Sequence, residues 1–160
     1  MKKQGYEMEY VKIEDSGKRS FGQKKNHTII FVTGGRGYLY QEKEKDVCTM
    51  EDLIFIKPGN KVNLEYRKNK YPLELYVLYV GTELLRSLSD ENTKLDEAFD
   101  VVPFQVKTVH SESGSAMLIK NISKKLYAMI KESPKFAHTL YEKSLLTMLL
   151  VLALRASVQE

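Results

Sequence analysis

Two patterns of apolar positions divide the chain near its middle. From Tyr6 to Val80, apolar residues alternate with polar ones or gather in short runs, and tyrosine, valine, isoleucine and phenylalanine dominate them. Alternation of period two and β-branched or aromatic side chains suit a pleated, half-buried surface, so strands are predicted at YEMEYVKI, HTIIFV, YLYQE, DVCTM, LIFI, VNLEY and LELYVLYV. Turn-forming stretches separate them: Asp15–Ser16–Gly17, Gly34–Gly35–Arg36–Gly37, the charged run EKEKD, Pro58–Gly59–Asn60, and Arg67 to Pro72. Short strands at close spacing, with no helical pattern between them, point to antiparallel hairpins folded into a sandwich or barrel.

After Gly81 the period lengthens. A short helix of two turns is expected within TELLRSLSDEN, and Asp100 to Val106 reads as extended, with Pro103 on it. From Ser115, the residues Ile119, Ile122, Leu126 and Ile130 recur every three or four positions and so share one helix face. Ser133–Pro134 reads as a boundary, serine capping and proline in the first turn, which predicts a second helix from Pro134 to about Ser157. Its apolar residues cover more than one stripe. Leu145, Leu149 and Leu152, spaced by four and three, form a seam that a second copy could meet, so a homodimer through this helix is expected.

The glycines of HTIIFVTGGRGYLY raise the question of a phosphate loop. Such a loop needs a strand, a glycine-rich turn and then a helix whose N-terminal amides face the anion. Here a strand-like YLYQE follows, so Gly34, Gly35 and Gly37 are expected to supply positive-φ positions in a tight turn between two paired strands.

Composition narrows the class. The 160 residues suffice for one well-buried core, and 42% hydrophobic with 29% charged residues is an ordinary globular balance. Lysine and arginine number 25 against 21 aspartate and glutamate, and the excess is scattered along the chain instead of forming one tract. Cys48 is the only cysteine, which excludes an intramolecular disulfide and a Cys-rich metal site. No apolar region follows Lys2–Lys3, and LLTMLLVLAL, between Lys143 and Arg155, is shorter than the roughly 20 residues that span a bilayer. A cytoplasmic location without membrane contact is expected.

Taken together, VTGGRGYLY and TMEDLIFIKPGNKVNLEY resemble the two half-motifs of the cupin superfamily: a strand ending in a Gly-x-Gly turn, then Asp, an apolar strand and Pro-Gly. Asp52, Leu53, Ile56, Pro58 and Gly59 carry the second half. The continuation through YPLELYVLYVG into two helices, the last leucine-rich, is similar to the N-terminal regulatory domain of AraC-type bacterial transcription regulators. That resemblance implies a mainly β chain with C-terminal α, a jelly-roll barrel over residues 6–106 and a helical dimerisation segment over 111–158. It also implies a small-molecule effector in the barrel, and DNA read by a separate helix-turn-helix module expected beyond residue 160.

Metal-binding cupins hold a catalytic ion with histidines and a glutamate. In this sequence the glutamate position falls at Thr28 and the last histidine at Val62, neither a useful ligand for a divalent cation. His27 lacks a His-x-His partner and is expected as a partly exposed strand histidine. Cys48 beside His27 or His110 is better read as a buried small hydrophobe than as a nucleophile. The adjacent carboxylates Glu51 and Asp52 suit a turn. No catalytic residue, metal ligand or cofactor is therefore expected, although a free-standing cupin metalloenzyme acting on a small molecule is the alternative. Alternation from Thr28 and Val62 predicts an interior of Thr28, Ile30, Val62, Leu64, Tyr66, Val77 and Tyr79, which either holds the effector or simply fills the barrel.

Overall fold

The computed structural model describes residues 2–3, 5–42, 44–101, 106–110 and 113–158. In chain order its elements are β1 (Lys2–Lys3), β2 (Tyr6–Ile13), β3 (Gly17–Phe21), β4 (His27–Gly34), β5 (Arg36–Gln41), β6 (Glu44–Thr49), β7 (Asp52–Ile56), β8 (Val62–Tyr66) and β9 (Leu73–Val80). Then come α1 (Thr82–Ser87), α2 (Leu95–Asp100), β10 (Val106–His110), α3 (Ser113–Lys131) and α4 (His138–Val158). Each of the seven predicted runs lies on a strand. β3 escapes the alternation rule because GKRSF buries only Phe21.

The strands form two antiparallel sheets, ordered β1-β2-β9-β4-β7-β10 and β3-β8-β5-β6. Their inner faces enclose one apolar cluster, which includes Phe21, Ile30, Leu39, Ile54, Leu64 and Leu75. The arrangement is a jelly-roll barrel. Among the described residues only β1–β2 and β5–β6 pair consecutive strands, so the expected succession of hairpins gives way to crossovers between sheets.

The glycine stretch is one of those crossovers. β4 pairs with β7 and β9, and β5 pairs with β6 and β8, so Gly34–Gly37 carries the chain from one sheet to the other and closes no hairpin. Gly35 alone among these three glycines has a positive φ, 78°. A Cβ there would overlap the Pro72 carbonyl oxygen, which leaves room for glycine only. Gly37 lies inside β5, where a Cβ would press on Leu73 and Leu64.

A second cluster forms where the helices cover the outer face of the larger sheet. Tyr6, Met8, Ile29, Phe31, Leu53, Phe55 and Leu78 meet Ile119, Ile122, Leu126 and Ile130 of α3, the four residues whose spacing predicted its buried face. α4 begins later than its proline suggested. Ala137 has a φ of 54°, outside the right-handed helical region, so Ser133–Pro134 opens a connecting stretch and Phe136 stands fully exposed in it. Asp100, expected on an extended segment, ends α2 instead, and α2 itself was not anticipated. Residues 102–105, with Pro103, lie outside the described residues; Val106 opens β10, which carries the sheet on to His110. Among the described residues no helix is long and apolar enough to cross a membrane.

Candidate functional site

Alternation along β4 sends Thr28, Ile30 and Val32 into the barrel and His27, Ile29 and Phe31 out toward the helices. Thr28 is set between Tyr79 of β9 and Ile56 of β7 by the ladder register, both members of the interior cluster. Ile30, Val62, Leu64, Tyr66, Val77 and Tyr79 belong to that cluster too. The structure thus brings the seven residues singled out from the sequence into one interior.

Their polar groups differ in state. The Tyr66 hydroxyl donates to the Tyr71 carbonyl at 2.7 Å, and the Tyr79 hydroxyl to Glu9 at 3.3 Å. Burial, then the nearby Glu9 carboxylate, pushes the Tyr79 phenol well above its ordinary value, so it stays protonated. Thr28, 1% exposed, has a hydroxyl with no hydrogen-bond partner among the described residues. A buried donor left unpaired costs about 1–3 kcal/mol. Among the described residues of this interior, its hydroxyl is the buried side-chain group left without a hydrogen-bond partner.

At the same end of the barrel, α2 lies over the outer side of β4. His27 is buried, against the expectation of partial exposure, because Phe99 of α2 covers it at 5.4 Å between ring centroids. Its Nε2 lies 3.6 Å from Asp100, and the Lys57 ammonium donates to the Asp100 carbonyl at 2.9 Å. Burial depresses the His27 pKa, Asp100 opposes that shift, and Lys57 adds to it. His27 is therefore a neutral packing residue beneath a short helix. The signal that could have found its cover was the Leu95/Phe99 pair, four residues apart, in a stretch with little other apolar content.

The remaining candidates fall apart in space or settle into structural roles. Cys48 is buried within the barrel, and burial followed by Asp52 pushes its thiol up to about 12, so it has no thiolate to offer at neutral pH. Asp52 accepts from the Thr49 amide at 2.8 Å, closing the β6–β7 turn, and its other oxygen meets His110 Nδ1 at 2.7 Å. Glu51 holds a φ of 79° in that turn. Beyond it, at the barrel end remote from Thr28, a cleft of about 440 Å³ is bounded by Arg36, Met50, Asn69, Tyr71 and Glu74. Among the described residues, no three His, Cys, Asp or Glu side chains converge as a metal would require.

On α4 the three leucines expected to form a seam do not share an exposed face. Leu149 is 6% exposed and belongs to the chain's own core with Leu146, Leu150 and Ala153, so it is unavailable to a partner. Leu145 and Leu152 flank that core, partly buried. The free side is rotated away from it. There Leu140, Tyr141 and Met148 are exposed, and Ser144, Thr147, Met148, Val151, Leu152 and Arg155 line a shallow groove of about 560 Å³. Leucines alone could not locate this side, because α4 is apolar around much of its circumference and the buried face is read only from what α3 and the sheet cover.

The model of the AraC-like ligand binding domain matches residues 15–150. No curated protein matches the sequence significantly. Among solved structures, apo ToxT K231A from Vibrio cholerae superposes with a TM-score of 0.64 at 10% identity, over 91% of this chain and 54% of that one. ToxT bound to an unsaturated fatty acid gives 0.61 at 10% identity, over 91% and 52%. The AraC-like transcriptional activator CuxR gives 0.60 at 9%, over 96% and 52%. This chain spans about half the length of each of these structures, and at such identities the likeness is one of fold.

Proposed function

The chain belongs to the AraC-like ligand-binding domain family, and from that premise we propose that it senses an effector and dimerises within a longer sequence-specific transcription regulator. The barrel, from Tyr6 to about Val106, takes the effector; the helices from about residue 111 to Val158 join two copies; an appended helix-turn-helix module reads the DNA. The whole assembly works in the cytoplasm. No step of this role requires bond chemistry, which fits a threonine and a valine at positions where a metalloenzyme of this fold would hold ligands.

The unpartnered Thr28 hydroxyl carries the effector assignment. The interior around it is apolar, so an entering molecule gains most by presenting an apolar body with one group that hydrogen-bonds Thr28. Charged groups have no counter-ion among the interior positions named above, which favours an uncharged end at Thr28. Ile30, Val62, Leu64, Val77 and the two tyrosines would form the walls. For the dimer, the support is the exposed apolar side of α4, with Met148 and Val151 at its centre.

Calorimetric titration tests the effector site, with an unsaturated fatty acid as first probe and the matching alcohol as its uncharged counterpart. Saturable binding of the alcohol at one site per chain, weakened about tenfold in Thr28→Val, is the expected result. Equal binding by wild type and Thr28→Val would remove the threonine from the site. Absence of binding by both probes and by a panel of small uncharged metabolites would leave the barrel a filled scaffold.

A further inference from the structure

The 25 lysines and arginines look scattered along the sequence, yet the sheet β3-β8-β5-β6 collects four of them on its outer face. On β5, Arg36, Tyr38 and Tyr40 point out, while Gly37 and Leu39 meet the barrel interior. Across the ladder, Tyr40 pairs with Lys45 of β6, Tyr38 with Glu65 of β8, and Glu65 with Lys18 of β3. The cationic groups gather over the rings: Arg67 at 4.4 Å, Lys45 at 4.6 Å and Arg36 at 5.9 Å from the Tyr38 centroid. Lys18 and Lys45 lie 5.7 and 5.9 Å from that of Tyr40.

Little on this face opposes them. Its carboxylate, Glu65, already accepts from the Tyr40 hydroxyl at 2.9 Å and from Arg67 Nε at 3.1 Å. Glu44 and Asp46 alternate to the other side of β6, opposite Gln41 and Leu39. Lys18, Arg36 and Lys45 make ring contacts and, among the described residues, no ion pair.

We propose that this face binds the phosphate backbone of duplex nucleic acid, with Lys18, Arg36, Lys45 and Arg67 as the contacting groups around Tyr38 and Tyr40. The free groups here are donors, and phosphodiester oxygens bring acceptors alone. An acidic peptide would also bring amide N–H donors to a face whose carboxylate is already committed. The cations are spread in two dimensions, over strands about 4.8 Å apart with outward residues about 7 Å apart, a net suited to a charged rod laid on it. Because the rings lie beneath cations, they rigidify the side chains and leave base stacking to other proteins. The contact reads no sequence. It lies on the opposite side of the barrel from α3 and α4, so it leaves the dimer side free and does not depend on the effector.

Fluorescence anisotropy of a short labelled duplex of arbitrary sequence, titrated with the 160-residue chain between about 50 and 200 mM salt, tests this. Wild type should bind with an affinity falling steeply with salt. The variant Lys18→Glu/Lys45→Glu should lose about two units of the log–log slope, so that raising salt fourfold costs roughly tenfold less affinity than in wild type. The control Lys120→Glu/Lys124→Glu, on exposed positions of α3, changes net charge equally and should keep the wild-type slope. Equal losses in the two variants would reduce the effect to net charge and overturn the proposal. So would an unaltered slope in the face variant, or displacement by polyglutamate as effective as by unlabelled duplex at equal charge. None of these outcomes bears on effector binding at Thr28, which is read by calorimetry.

Discussion

The Tyr6 hydroxyl on β2 donates a 2.7 Å hydrogen bond to the Glu142 carboxylate on α4, and both residues are buried. It is a polar tie between the barrel and the helix proposed to meet a partner. Burial, then the Glu142 bond, raises the Tyr6 phenol far above its ordinary value, so the donor persists at any physiological pH. Hydrogen bonds to charged groups contribute about 1.5–3 kcal/mol, so Tyr6→Phe should lower stability by about that amount. Urea denaturation followed by circular dichroism measures it; an unchanged midpoint would mean the tie contributes nothing net.

Thr28→Val should have the opposite sign in the absence of effector. The swap keeps the shape and removes an unpaired hydroxyl, which predicts a gain of about 1 kcal/mol in the same assay. A loss of stability in Thr28→Val would show instead that the hydroxyl already has a structural partner.

Two lysine substitutions one residue apart on α4 should separate core from interface. Leu149→Lys places a charge in the chain's own core and should unfold it, at a cost above about 4 kcal/mol. Met148→Lys, at a position 50% exposed, should leave the fold intact and convert the dimer to monomer, as read by light scattering. A dimer mass retained by Met148→Lys combined with Val151→Lys would move the interface elsewhere.

His27 should make the fold acid-sensitive. Its folded pKa lies below the ordinary value of 6.5, so the unfolded chain takes up its proton first. The stability that neutral His27 contributes is complete above about pH 6.5, declines as pH falls toward the folded pKa, and changes no further below it. Urea midpoints at about pH 7.5 and 5.5 should differ more in wild type than in His27→Gln. Equal differences would assign the acid sensitivity to other groups.

How far the chain could be read in advance follows from which forces act locally. β2, β8 and β9 were legible to the residue because β8 buries alternate side chains, β2 mixes apolar with charged positions, and β9, covered on both faces, is a nearly continuous apolar run that stops at Gly81. β3 and α2 were not: the first is a mostly exposed strand, and the second is six residues held by two apolar contacts, Leu95 and Phe99. Inward alternation from Thr28 located the interior correctly, since strand period is a backbone property. The burial of His27 depends on Phe99, 72 residues away in sequence, and the buried face of α4 depends on α3 and the sheet packed against it. Periodicity cannot report those. The gathering of Lys18, Arg36, Lys45 and Arg67 onto one face is likewise a product of sheet order, invisible in a one-dimensional charge count.

Sheet order has a further consequence, for the timing of assembly. β9 sits between β2 and β4, making eight register pairs with the first and spanning the second from His27 to Gly34. It is the last barrel strand before the helices, so β2 and β4 share no neighbour until residue 80 has been synthesised. During translation the nascent chain carries two strands of apolar-faced sequence without a common partner, so chains truncated before β9 should expose those faces and aggregate. The helices, local and quick to form, then close over a surface that β9 alone makes continuous.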